Sequence, residues 1–140
     1  MFGALRLFVQ VLSVLAVAML VPAAIALVSG DSDDAASFAS VAVLVGFMAS
    51  AVFFALRGRH WRLGRFDGFF LVVLVWAVPP FIAAIPIMSG TDLSYLPALF
   101  EAVSAYTTTG ATVLPSLDQV GPAILFWRAE LQWLGGLVRL

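Results

Sequence analysis

Residues Tyr106-Thr107-Thr108-Thr109-Gly110-Ala111-Thr112 set small hydroxyl side chains around one glycine, between two strongly apolar segments. Such a run offers backbone carbonyls and hydroxyl oxygens and little else. Oxygens presented by a non-helical backbone at membrane depth are what a dehydrated alkali cation needs. An extended strand points successive carbonyls to opposite sides, so lining one path with them takes unusual backbone conformations. Gly110 is the residue of the run that adopts positive φ at little cost. The competing reading is packing, because small residues also let membrane helices approach closely.

The elements that must position this run follow from composition. Of 140 residues, 63% are hydrophobic and 11% charged, and the mean hydropathy is +1.09. Soluble domains are about a quarter charged, so the chain reads as a membrane protein. Absence of cysteine excludes disulfides and thiol chemistry, and His60 is the single histidine. No basic patch interleaved with aromatics suggests nucleic acid. Serines are plentiful, but no intramembrane His or Lys is placed to activate one, and no paired intramembrane acids stand at helical spacing. The chain is therefore not read as an enzyme and calls for no cofactor.

Three uncharged stretches, Leu7 to Gly30, Ala35 to Leu56 and Gly68 to Thr91, each exceed the roughly 18 residues of a spanning helix. Arg57, Arg59, Arg62 and Arg65 fall in one connection, whereas Asp31, Asp33 and Asp34 fall in another. The positive-inside rule makes the arginine loop and the N-terminus with Arg6 cytoplasmic, and the aspartate loop external. Ala24-Ile25-Ala26 resembles a signal-peptide cleavage site, but the apolar run before it is longer than an h-region, which favours a retained helix. Pro79, Pro80 and Pro86 predict kinks in the outer half of the third helix.

From Asp92 to Tyr106 the pattern is amphipathic and too short to cross, with Asp92 and Ser94 as candidate N-caps. A short helix, an oxygen-rich run and a return to Pro115 and Asp118 predict a re-entrant loop with both ends outside. The C-terminal end of that helix would point its partial negative charge at the membrane middle, which favours a cation. A last helix begins with Pro122 in its first turn.

Phe100-Glu101-Ala102-Val103-Ser104-Ala105-Tyr106-Thr107-Thr108-Thr109-Gly110-Ala111-Thr112-Val113-Leu114 resembles the first pore loop of Trk-type potassium uptake proteins, TrkH-like members of the Trk/Ktr/HKT cation transporter superfamily. Phe126-Trp127-Arg128 and Leu131-Gln132-Trp133-Leu134-Gly135-Gly136 resemble the helix that follows it there. The resemblance covers residues 97–136 closely and the rest coarsely. It implies an all-α membrane protein. Residues 1–60 form a two-helix hairpin, and residues 61–140 one helix–pore loop–helix repeat that is incomplete at its C-terminus. It implies K⁺ as the transported ion, bound by backbone oxygens of Thr108, Thr109, Gly110, Ala111 and Thr112, with Thr107 flanking the innermost site. It also implies a bacterial inner membrane location, three further repeats completing the pore, a homodimer and a cytosolic nucleotide-binding regulatory subunit. One repeat instead of four makes the chain read as a piece of such a transporter. A single-repeat homotetrameric channel and a small packing or adaptor protein are the alternatives.

Glu101 either attracts cations or braces the loop from behind, and bracing is the favoured role for an intramembrane acid. Arg128 and Glu130 are two apart on a helix and do not face each other. Arg128 snorkels outward, or pairs with Asp118 or a loop carbonyl; a structural role is expected of both. The Arg57–Arg65 cluster anchors topology, and His60 within it is solvated.

Overall fold

The computed structural model describes residues 2–58 and 64–138; Arg59, His60 and Arg62 of the arginine loop, and Arg139 and Leu140, lie outside the described residues. Six α-helices and one 3₁₀ turn, with no strand among the described residues, make the chain all-α. They are α1 (Phe2–Ala18), α2 (Leu20–Val28), α3 (Ser32–Ala55), α4 (Arg65–Ser89), α5 (Tyr95–Tyr106), the 3₁₀ turn Leu117–Gln119 and α6 (Pro122–Val138). Three helical stretches are long and apolar enough to cross a membrane: Gly3–Val28, Ser32–Ala55 and Phe66–Ser89.

The first stretch is α1 and α2 in series, interrupted at Met19. Pro22 has no amide hydrogen for the Ala18 carbonyl, and its ring crowds that carbonyl. The helical ladder resumes around the break through Met19 N to Leu15 O at 3.1 Å and Ala23 N to Met19 O at 3.2 Å. Asp31 starts α3 by accepting the Asp34 amide at 3.1 Å, and Asp33 and Asp34 place negative charge in its first turn.

α1 packs on α3 and α4, α2 on α3 and α6, and α5 lies between α4 and α6. One core draws on all of them, so residues 1–60 and 61–140 share it. Its large members are Met19, Phe38, Ile87, Ile124, Trp127 and Leu131, with the Phe38 and Trp127 rings edge to face at 5.8 Å. Alanines fill the remaining positions and let the helices approach closely. Outward faces stay apolar: Phe47, Phe66 and Phe69 are at least 70% exposed, as a lipid-facing surface requires.

Charge separates between the two ends. Arg6 lies over the Phe53 ring and Arg57 over the Phe54 ring, at 5.4 and 5.9 Å to the centroids. At the opposite end Asp31, Asp33, Asp34 and Asp92 line a cleft of about 580 Å³ together with Ser116 and Gln119.

Two expectations are refined. α4 runs unbroken through Pro79, Pro80 and Pro86. α5 begins at Tyr95, so Asp92 stays outside it; Ser94 stands at the N-cap position without a side-chain capping bond. Pro97 then occupies the first turn, where its missing amide has no helical partner to lose. Thr91 holds the connection, donating to the Ile87 carbonyl at 2.6 Å.

Candidate ion-coordinating loop

α5 has 12 residues, about 18 Å at the α-helical rise, and so ends partway through a membrane-sized bundle. Ala98, Glu101, Ala102 and Ala105 are fully buried, turning one face onto α4 and α6.

The end of α5 builds the loop. The Thr108 amide donates to Ala105 O at 2.9 Å and the Thr109 amide to Ser104 O at 2.9 Å. These two bonds are a Schellman ending, whose left-handed position is usually glycine. Here it is Thr108, at φ 59°. A β-branched residue is strained there, and the surrounding bonds hold it. Thr107 Oγ1 donates to the Val103 carbonyl and meets Thr109 Oγ1, each at 2.8 Å.

Backbone sign then alternates. Thr107 is at φ −79°, Thr108 at +59° and Gly110 at +76°, with Thr109 between them not positive. Such alternation of φ sign departs from an extended strand, which would point successive carbonyls to opposite sides. Among the described residues no donor reaches the carbonyls of Thr108, Thr109 or Gly110. Residues 108–113 are exposed.

The returning limb is held from behind. Ser104 Oγ donates to Ala111 O at 2.7 Å. Glu101 Oε1 accepts Thr112 Oγ1 at 2.8 Å and the Val113 amide at 2.5 Å. Glu101 Oε2 faces Arg128 Nε at 2.8 Å. That contact lies off the N–H axis, so it is Coulombic rather than a directed hydrogen bond. Arg128 is 8% exposed. It neither snorkels nor reaches Asp118, because burial leaves Glu101 as its counter-charge. Glu130 Oε2 is buried with no partner among the described residues.

Side chains of α5 and α6 also donate to carbonyls of α4: Tyr95 OH to Phe81, Tyr106 OH to Val75 and Trp127 Nε1 to Ala83, at 3.0, 3.1 and 3.1 Å. Gly135 backs onto the end of α5, and a β-carbon on it would overlap the Tyr106 carbonyl, whereas one on Gly136 meets nothing. Gln132 Nε2 is 3.8 Å from where a Gly110 β-carbon would stand. Sequence reasoning missed Thr108 as a left-handed residue, the Glu101–Arg128 pairing, and Tyr106, Gln132 and Gly135 as neighbours of the loop. The one available signal was an isolated acid and an isolated base in apolar segments. Among the described residues no group of three His, Cys, Asp or Glu side chains can hold a metal ion.

A spanning helix, a short helix with one buried face, a returning oxygen-rich loop and a further helix define an all-α membrane protein with a helix–loop–helix unit. Residues 35–140 match the family model TrkH, cation transport protein. The chain is 38% identical over 135 residues to the Trk system potassium uptake protein TrkH of Vibrio parahaemolyticus, covering 95% of this chain and 28% of that protein. With the Trk system potassium uptake protein TrkG of Escherichia coli it shares 35% over 105 residues, 68% of this chain and 22% of that one. The crystal structure of the potassium transporter TrkH from Vibrio parahaemolyticus superposes with a TM-score of 0.86 at 36% identity, over 97% of this chain and 29% of that one. The chain belongs to the TrkH family of cation transport proteins. It spans between 22% and 29% of the length of these relatives.

Proposed function

We propose that this chain contributes a pore loop to a potassium uptake path through the bacterial inner membrane. K⁺ would meet the backbone oxygens of Thr108, Thr109, Gly110, Ala111 and Thr112, with Thr107 at the inner flank and Glu101 bracing from behind. The observation that carries this reading is the alternation of backbone hand from Thr107 to Gly110, together with the Thr108, Thr109 and Gly110 carbonyls, which have no donor among the described residues. A 12-residue helix aims its negative end at the same place. The role is passage and selection of an ion rather than catalysis.

One loop offers oxygens from one side, and a bare K⁺ needs them all round. The reading therefore includes three further loops of the same kind around a common axis. The reading also takes in, as partners that the resemblance implies, a homodimer and a cytosolic nucleotide-binding regulatory subunit. The division into a leading hairpin, residues 1–60, and a pore repeat, residues 61–140, describes the repeat pattern rather than packing, since the two share one core. Arginines at one end and aspartates at the other support a cytoplasmic N-terminus.

Gly110→Ser tests the reading. Serine at φ +76° is strained, so the loop should relax and K⁺ over Na⁺ discrimination should fall. The assay is the K⁺/Na⁺ uptake ratio of the Vibrio parahaemolyticus TrkH carrying this chain in place of its matching segment. An unchanged ratio in a well-inserted Gly110→Ser variant sinks the filter role and leaves packing or adaptor duty.

A further inference from the structure

We propose that Tyr106 is a positioning residue for ion selection: its hydroxyl stands in for the amide hydrogen that Pro79 lacks, and so ties the inner end of the loop to the middle of α4. This rests on the filter reading above and deepens it.

A helical carbonyl is normally met by the amide four residues on. For Val75 that residue is Pro79, which has none. Yet α4 continues unbroken there. The vacancy is filled across the bundle, where the Tyr106 hydroxyl donates to Val75 O at 3.1 Å, a buried bond between groups 31 residues apart. Few other partners exist for either group. The adjoining cavity, about 460 Å³, is lined by aliphatic side chains, with Gln10 the one polar side chain besides Tyr106.

Tyr106 is also the last residue of α5. Its ring meets Trp76 edge to face at 5.6 Å, its carbonyl abuts Gly135 of α6, and Thr107 with the left-handed Thr108 follow directly. The residue that launches the alternating backbone is thus fixed at three points, on α4 through oxygen and ring and on α6 through its carbonyl. Fixing it sets the depth and rotation from which the loop carbonyls start. Ring packing alone accounts for the Trp76 contact but not for a hydroxyl aimed at the one carbonyl that Pro79 leaves open.

The test separates these roles. Tyr106→Phe keeps the ring and removes the oxygen. Pro79→Ala restores an amide at position 79, which makes the hydroxyl redundant. On the 140-residue chain in lipid nanodiscs, amide hydrogen exchange reads the loop. Tyr106→Phe should speed exchange at the Thr108, Thr109 and Gly110 amides about tenfold while α3 amides stay unchanged. In the Pro79→Ala background the same substitution should change those amides less than about twofold. In the transporter chimera, Tyr106→Phe should lower the K⁺/Na⁺ uptake ratio several-fold, and Pro79→Ala should restore it. Equal effects of Tyr106→Phe in both backgrounds overturn the proposal, as does unchanged loop exchange. A ratio unmoved by Tyr106→Phe but shifted by Gly110→Ser overturns this proposal alone. A ratio unmoved by both overturns the filter reading and the selectivity role with it, while the exchange cycle still reports the Tyr106–Pro79 coupling.

Discussion

At the scale of single residues, the carboxylate of Glu101 divides its work. Oε1 collects two donors of the returning limb and Oε2 balances Arg128, all at a fully buried position. Removing either charge strands the other. Glu101→Gln and Arg128→Leu should each lower unfolding stability in detergent by about 3–5 kcal/mol, the size found when one partner of a buried pair is deleted. Combining Glu101→Gln with Arg128→Leu should cost less than the sum, because the double variant leaves no uncompensated charge. Additive losses in a denaturant titration would mean that the two side chains do not act as a pair. Glu130 makes the contrasting case. Its buried oxygen has no partner among the described residues, so Glu130→Leu in this chain should leave stability unchanged or raise it, read by the same titration. The oxygen-rich run and Glu101 were legible in sequence because both are out of place in lipid. The partner of Glu101 was not. Arg128 is 27 positions away, and only the crossing of α5 and α6 brings the two together.

At the scale of elements, α5 holds its place by hydrogen bonds to carbonyls of α4, by the Glu101–Arg128 pair and by close backbone approach to α6. The close approach rests on Gly135. A methyl group there would overlap the Tyr106 carbonyl, so Gly135→Ala must push α6 away from the end of α5, at about 1–3 kcal/mol for an overpacked contact. Gly136→Ala meets open space and should be neutral or slightly stabilising through helix propensity. Thermal unfolding of the two variants side by side checks this, and equal melting points would rule out the close approach. The adjacent glycines look equivalent in sequence; helix phase, one position apart, makes one essential and the other idle. The same limit applied to the proline-bearing helix. Prolines predict lost hydrogen bonds, but the repair by Tyr106 is a tertiary contact. Length and hydropathy fixed the three spans, and the brevity of the Asp92–Tyr106 segment fixed α5 to within a turn, because both are local properties.

At the scale of the whole molecule, separation of charge predicts how the loop meets the membrane. Arg6 and Arg57 gather at one end, and Asp31, Asp33 and Asp92 at the other, next to Ser116 where the loop returns. If both limbs of the loop open at the aspartate end, a cation approaching the loop from that end would meet an acidic cleft before the carbonyls, with the negative end of α5 deeper along the same path. This arrangement is testable because the chain has no cysteine of its own. Single cysteines at Asp33, Leu117 and Arg57 sample the first turn of α3, the returning limb and the arginine loop, all at exposed positions. A membrane-impermeant maleimide applied to intact spheroplasts should label Asp33→Cys and Leu117→Cys, and Arg57→Cys only after permeabilisation. The decisive position is Leu117. Labelling there from the same side as Asp33 means that the chain enters and leaves the membrane on one face. Labelling together with Arg57 would make residues 95–117 a crossing segment. A 12-residue helix followed by exposed backbone could then no longer serve as a loop that dips in and returns.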